Sequence, residues 1–279
     1  MTLQWLPAWL ALTPVVAGML VVWVGVSYWW LRLARIPTAV AVAVSPAVTG
    51  TVIWALSLLY WKAGWFWSGA RLLPVLVAIG LVGALIYVAV VRAGHPIPTR
   101  MTYGYRETRA TLPRPRAKTF AFAVLGGWLL AILPTVLGSS PDNPVQQWDP
   151  SFHMNGIWSI TQLGVAAPGE GLAANYGGSA NAEYPIGWHA FTSLFATGPT
   201  AVAAANTSSL AIMAIWVVGV GIYAHTLYPG RTIAFVAPVV AGILPSMLGR
   251  EDLFVALGLA GKVDGAQTLD FLWYFHFAA

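Results

Sequence analysis

Six apolar runs, each close to the length of a bilayer crossing, constrain this chain more than any other feature. They cover residues 6–31, 39–60, 72–91, 120–137, 201–227 and a shorter 233–248. About 20 consecutive apolar residues are needed to span the hydrocarbon as a helix. None of the runs carries an Asp, Glu, Lys or Arg near its middle. Backbone polar groups in lipid must be satisfied within the segment, so such runs fold as helices. The expected fold is therefore an all-α membrane protein of about six transmembrane helices. Composition agrees: 58% of the residues are hydrophobic and 8% charged, too few charges to clothe a soluble surface. Many of the 15 Trp fall beside the ends of the apolar runs, where an aromatic belt belongs.

The charges also predict organisation. Residues 92–118 hold Arg92, Arg100, Arg106, Arg109, Arg114, Arg116 and Lys118 against one acid, Glu107. Short basic loops stay in the cytoplasm. The sequence thus predicts a plasma-membrane protein with its N-terminus outside. It divides into a four-span bundle (1–137), an extracytoplasmic loop (138–199), two further spans (200–248) and an outer-face tail (249–279). The tail closes on an uncapped aromatic run and reads as a truncated segment, with a short interfacial helix as the alternative. The basic residues sit between apolar runs, so nucleic acid is excluded as a partner and membrane lipid is expected. The chain has no Cys, which removes disulfides, thiolate metal sites and Cys nucleophiles. The absence of intramembrane charge argues against an ion-coupled transporter.

Loop 138–199 is where chemistry is expected. A loop this long is uncommon without a function. Its first cluster is Trp148-Asp149-Pro150-Ser151-Phe152-His153. On a helix Asp149 and His153 share a face. Met154, Ile157, Trp158 and Thr161 form an apolar stripe directed at membrane or bundle. A carboxylate beside an imidazole can act as a general base or bind a divalent cation. Asp149-Pro150 is equally a helix start, because Asp caps and Pro favours the first turn. The second cluster is Glu183-Tyr184-Pro185-Ile186-Gly187-Trp188-His189, with Pro185 suited to a helix start and His189 about one turn in. His189 can also be read as a packed histidine bonded to backbone. Residues 191–194 either begin another helix or lengthen the fifth span. Arg250, on the predicted outer side, is a candidate for phosphate binding or a solvated loop residue. Asn206-Thr207-Ser208 matches a glycosylation sequon but lies against a span.

The motif pair Trp148-Asp149-Pro150-Ser151-Phe152-His153 and Tyr184-Pro185-Ile186-Gly187-Trp188-His189 resembles an uncharacterised family of large actinobacterial multi-pass membrane proteins. The likeness is best over residues 124–245. That family is in turn similar to GT-C glycosyltransferases, which take a sugar from a polyprenyl-phosphate donor on the outer face. The resemblance implies cell-envelope glycan assembly. It places the catalytic or metal-binding acid at Asp149, with His153 and His189 beside it and Glu183, Tyr184, Trp188 and Arg250 toward the substrate. A divalent cation is the cofactor it would admit. Two features depart from the GT-C pattern: that superfamily usually has more spans, and Asp149 is followed by Pro150 where many members have a second acid. The other readings are a non-enzymatic or lipid-binding subunit of an envelope complex, and a metal-dependent hydrolase using Asp149, His153 and His189.

Overall fold

The structure, a computed structural model, describes residues 3–95, 97, 117–143, 148–167, 170–171, 186–196, 201–228 and 231–248. Every regular element among them is helical. A single 3-10 turn, Leu3–Trp5, leads into α1 (Leu6–Ala11) and α2 (Thr13–Leu33). α3 (Thr38–Lys62), α4 (Gly69–Arg92) and α5 (Ala117–Gly138) follow. Then come two shorter helices, α6 (Trp148–Leu163) and α7 (Gly187–Ser193), and finally α8 (Ala201–Leu227) and α9 (Arg231–Leu248).

Five of these helices are long and apolar enough to cross a membrane: α2, α3, α4, α5 and α8. α9 has a shorter apolar stretch, Thr232–Ile243, as its sequence suggested. Large apolar side chains point outward from them; Leu85 and Phe122 are each 70% exposed. Apolar patches on that scale fit lipid as the surrounding solvent, not water. This is an all-α multi-pass membrane protein.

The first apolar run divides at Leu12. Pro14 has no N–H to continue the ladder, so α1 stops and α2 restarts, with the Val15 and Val16 amides both donating to the Leu12 carbonyl. Pro46 and Pro74 are carried inside α3 and α4. Membrane helices tolerate such breaks where neighbours resatisfy the backbone.

Three spans end at the same kind of turn. α3 closes on Gly64 (φ 66°) and α4 on Gly94 (φ 81°), each with the next amide reaching back to the final turn. Glycine is the usual residue there because a Cβ disfavours the left-handed region. α2 closes on Arg35 (φ 64°) instead, with the Ile36 amide donating to the Leu31 carbonyl. A side chain in that conformation costs about 1 kcal/mol.

α2 packs between α3, α4 and α8, burying Val16, Met19, Val22 and Val26. Ser27 of α2 and Thr49 of α3 meet at 2.7 Å, an interhelical hydrogen bond within the apolar layer. α8 is the central element: Ala203 through Met213 are all buried. It can be enclosed on every face because its first half is mostly Ala, Ser and Thr, small enough for close helix approach. The Asn206 amide lies in this buried stretch and donates to the Pro141 and Asn143 carbonyls. It ties α8 to the segment after α5 and is no glycan acceptor in this fold. α5 and α9 touch backbone to backbone at Gly127 and Gly242.

The alternation of spans creates two ends. Arg32, Arg35, Arg92 and Lys118 lie at one, the basic end. The opposite end holds the α3–α4 connection, the end of α5, the start of α8, and α6 and α7. There Trp9 donates to the Ser139 carbonyl at 2.7 Å.

Candidate functional site

α6 and α7 form an insert held into the bundle, not a loop lying over it. The amide of Trp67, between α3 and α4, donates to the Gly164 carbonyl just past α6 (2.7 Å). Its indole donates to the Ala190 carbonyl (3.2 Å) and the Ser193 hydroxyl (3.1 Å) of α7. Phe191 is 1% exposed, and its ring lies 4.4 Å from that of Trp23 on α2. Met154 and Ile157 of α6 pack with Ala201, Ala204 and Ala205 of α8. α7 is a short helix that begins at Gly187 and ends at Ser193, so residues 191–194 neither begin a helix nor lengthen the fifth span.

This insert joins the two sequence clusters. His153 Nδ1 and His189 Nε2 lie 2.7 Å apart across 36 residues of chain. Each side chain is 1% exposed. The imidazole centroids are 4.9 Å apart, with the planes inclined by 33°. Trp188 stands edge-on to both, at 5.9 Å from His153 and 5.0 Å from His189. Phe152 closes another side, edge-on to His153 at 5.4 Å. The pair thus sits in an aromatic box. Thr192, one helical turn beyond His189, is fully buried as well.

The buried face of α6 differs from the predicted stripe. His153, Met154, Ile157 and Ile160 point inward, while Trp158 is 51% exposed. Met154 and Ile157 of the stripe face the bundle, and Trp158 faces outward, where lipid can cover it. His153 is thus part of the packed interior, not a polar edge turned to an open cavity. α6 starts at Trp148, so Asp149 and Pro150 stand in its first turn, not at a cap. A carboxylate there still favours the helix dipole. The Asp149 side chain, and Glu183, Tyr184 and Arg250 altogether, lie outside the described residues. α7 begins at Gly187, two residues after Pro185, so His189 falls in its first turn.

Chemically, two facing imidazole nitrogens at this separation share one hydrogen. One must donate and the other accept. The pair holds either no net charge or one positive charge; a second added proton would set two N–H groups against each other. The two nitrogens that meet are committed to each other and are not metal ligands in this arrangement. No group of three His, Asp or Glu side chains that could hold a metal converges among the described residues.

Trp67 and Thr192 are contributors that sequence reading passed over. Trp67 belongs to a Trp-rich stretch read as interfacial belt. Thr192 shows only as a three-residue spacing from His189.

A multi-pass helical membrane protein with a buried histidine pair at one end of its bundle is the class defined by this fold and site. The chain belongs to a family of unknown function (DUF6541), whose model matches residues 20–250. No curated protein and no solved structure matches it.

Proposed function

We propose that this protein is a GT-C-like glycosyltransferase of the plasma membrane. It would take sugar from a polyprenyl-phosphate donor on the outer face and build cell-envelope glycan. The observation that supports this reading is the 2.7 Å contact between His153 and His189, one from each motif. Residues that would be separate packing histidines meet as one proton-holding unit in an aromatic surround. In this reading the N-terminus and the α6–α7 end face outward.

Asp149 accepts the proton of the acceptor hydroxyl, or holds a divalent cation that polarises it. The acceptor oxygen bonds to the sugar C1 as the bond from C1 to the phosphate oxygen breaks. Polyprenyl phosphate leaves, and Arg250 offsets its charge. The histidine pair fixes the acceptor side and receives the proton onward. Glu183, Tyr184 and Trp188 flank the sugar.

Asp149→Asn separates chemistry from folding, because Asn keeps the shape of Asp and removes only its charge and its ability to take a proton. With the full chain reconstituted in liposomes and polyprenyl-phosphate sugar as donor, the variant is expected to fold normally and lose transfer by about a hundredfold or more, the usual range for a general base. Full transfer by Asp149→Asn would reject the base and metal roles alike.

A second reading has its own observation. Trp158, on the outward side of α6, is 51% exposed. An exposed aromatic anchor suits a subunit of an envelope complex. Trp158→Ala is then expected to release co-purifying partners while leaving transfer by the isolated chain unchanged. Intact transfer together with lost association would assign that face to assembly and leave the histidine pair to catalysis.

A further inference from the structure

The strongest unexplained feature outside the α6–α7 insert is Arg32, in the last turn of α2 at the basic end. Its side chain is 1% exposed. Nη1 donates to the Ile36 carbonyl, which staples the turn after α2. Nη2 is buried with no hydrogen-bond partner among the described residues. The guanidinium carbon lies 5.9 Å from the Tyr87 ring of α4, which packs in turn against Trp29 at 5.1 Å. A buried guanidinium with one carbonyl and one ring face at the limit of cation–π range keeps donors that an anion would satisfy.

The chain offers little choice of anion. The connections closing this end, 34–37, 93–116 and 228–230, contain a single acid, Glu107. Arg35, Arg92 and Lys118, at the same end of the bundle as Arg32, are all exposed. Arg35 is also the residue that closes α2 in the left-handed conformation given to glycine at the ends of α3 and α4. A cation stands where a glycine would relax the backbone.

We infer that Arg32, between α2 and α4, is the seat of a phosphate group at the basic end, with Arg35 at its rim. Guanidinium groups bind phosphate oxygens through paired N–H donors, and the planar fork of Arg32 has donors to spare after Ile36. The phosphate belongs either to an anionic lipid headgroup or to a free phosphate. This seat lies at the other end of the bundle from His153 and His189 and is independent of the transferase reading.

The test uses the full chain, purified in detergent and stripped of lipid, with dioleoylphosphatidylglycerol or inorganic phosphate added back. Ligand retention is read by native mass spectrometry and thermal midpoint by intrinsic fluorescence. Wild type should retain the ligand and gain thermal stability. Arg32→Gln should lower retention about fivefold, the loss expected for one cation facing an anionic group. Glu107→Gln should behave as wild type. Protection by phosphatidylglycerol alone identifies a headgroup seat, and protection by inorganic phosphate alone a free-phosphate seat. Equal retention by wild type and Arg32→Gln overturns the inference. So does a Glu107→Gln variant that loses stability as Arg32→Gln does, because Glu107 would then be the counter-ion. If Arg32→Gln does not fold, Arg35→Gly carries the test, since glycine suits that turn: a twofold or greater fall in retention supports the seat, and unchanged retention overturns it.

Discussion

Gly242→Ala should unfold the contact between α5 and α9, whereas Gly126→Ala should leave the protein intact. A Cβ on Gly242 would stand 1.8 Å from the Gly127 carbonyl oxygen, and one on Gly127 would stand 2.1 Å from that of Pro238. Both obstacles are backbone, so no rotamer change relieves them; the helices themselves must part. Overpacking of a tight interior costs about 1–3 kcal/mol, and two clashing backbones place these variants at the upper end. Gly126 adjoins Gly127 in sequence, yet a Cβ there meets nothing within 4 Å. Thermal midpoints of the three purified variants check this. Gly242→Ala and Gly127→Ala should fall sharply, with loss of monodisperse protein, and Gly126→Ala should match wild type. A stable Gly242→Ala variant would mean that α5 and α9 pack by a different face.

The second large effect concerns the histidine pair. Replacing His189 with Leu leaves the His153 imidazole buried with its bonding nitrogen deprived of its partner. Stranding a buried polar group costs about 1–3 kcal/mol. The reciprocal change, His153→Leu, strands His189 by the same amount. Replacing both removes the two polar groups together, and apolar pairs of similar shape can be nearly neutral. The double variant should therefore be less destabilised than the sum of the singles, with a coupling of at least about 1 kcal/mol for residues in contact. Strictly additive losses would show that the two rings do not depend on each other.

Much of this architecture was legible in the sequence, because length and apolarity alone decide whether a segment can cross lipid. Runs 39–60, 72–91, 120–137 and 201–227 each lie within a single observed helix. The break at Leu12 was less visible, since Pro14 is compatible with an uninterrupted membrane helix as well as a restarted one. The site was half legible. The residue types pointed to Asp149, His153 and His189, and two of these meet across a loop whose path the sequence does not encode. The burial of His153 was not legible for a physical reason. Binary patterning groups Trp158 with the apolar stripe directed at membrane or bundle and leaves His153 on a polar edge. His153, however, has a partner in His189 that satisfies it in the interior, while Trp158 can remain outside against lipid or a partner. A buried polar pair defeats patterning because each member looks solvent-seeking when read alone. Arg32 was invisible as a site for the opposite reason: an Arg at the end of a span is what orientation alone predicts, and only its burial sets it apart from Arg35 and Arg92.

The central claim is that the two motifs act together as one transfer site. The most direct measurement is sugar transfer from a polyprenyl-phosphate donor by the full chain in liposomes, comparing wild type with His153→Leu, His189→Leu and the double variant, each first shown to be folded. The account predicts that wild type transfers and that all three variants lose activity by a similar factor, because residues acting as a unit are removed by the loss of either one. A folded double variant that transfers as fast as wild type would contradict it and leave the histidine pair as packing.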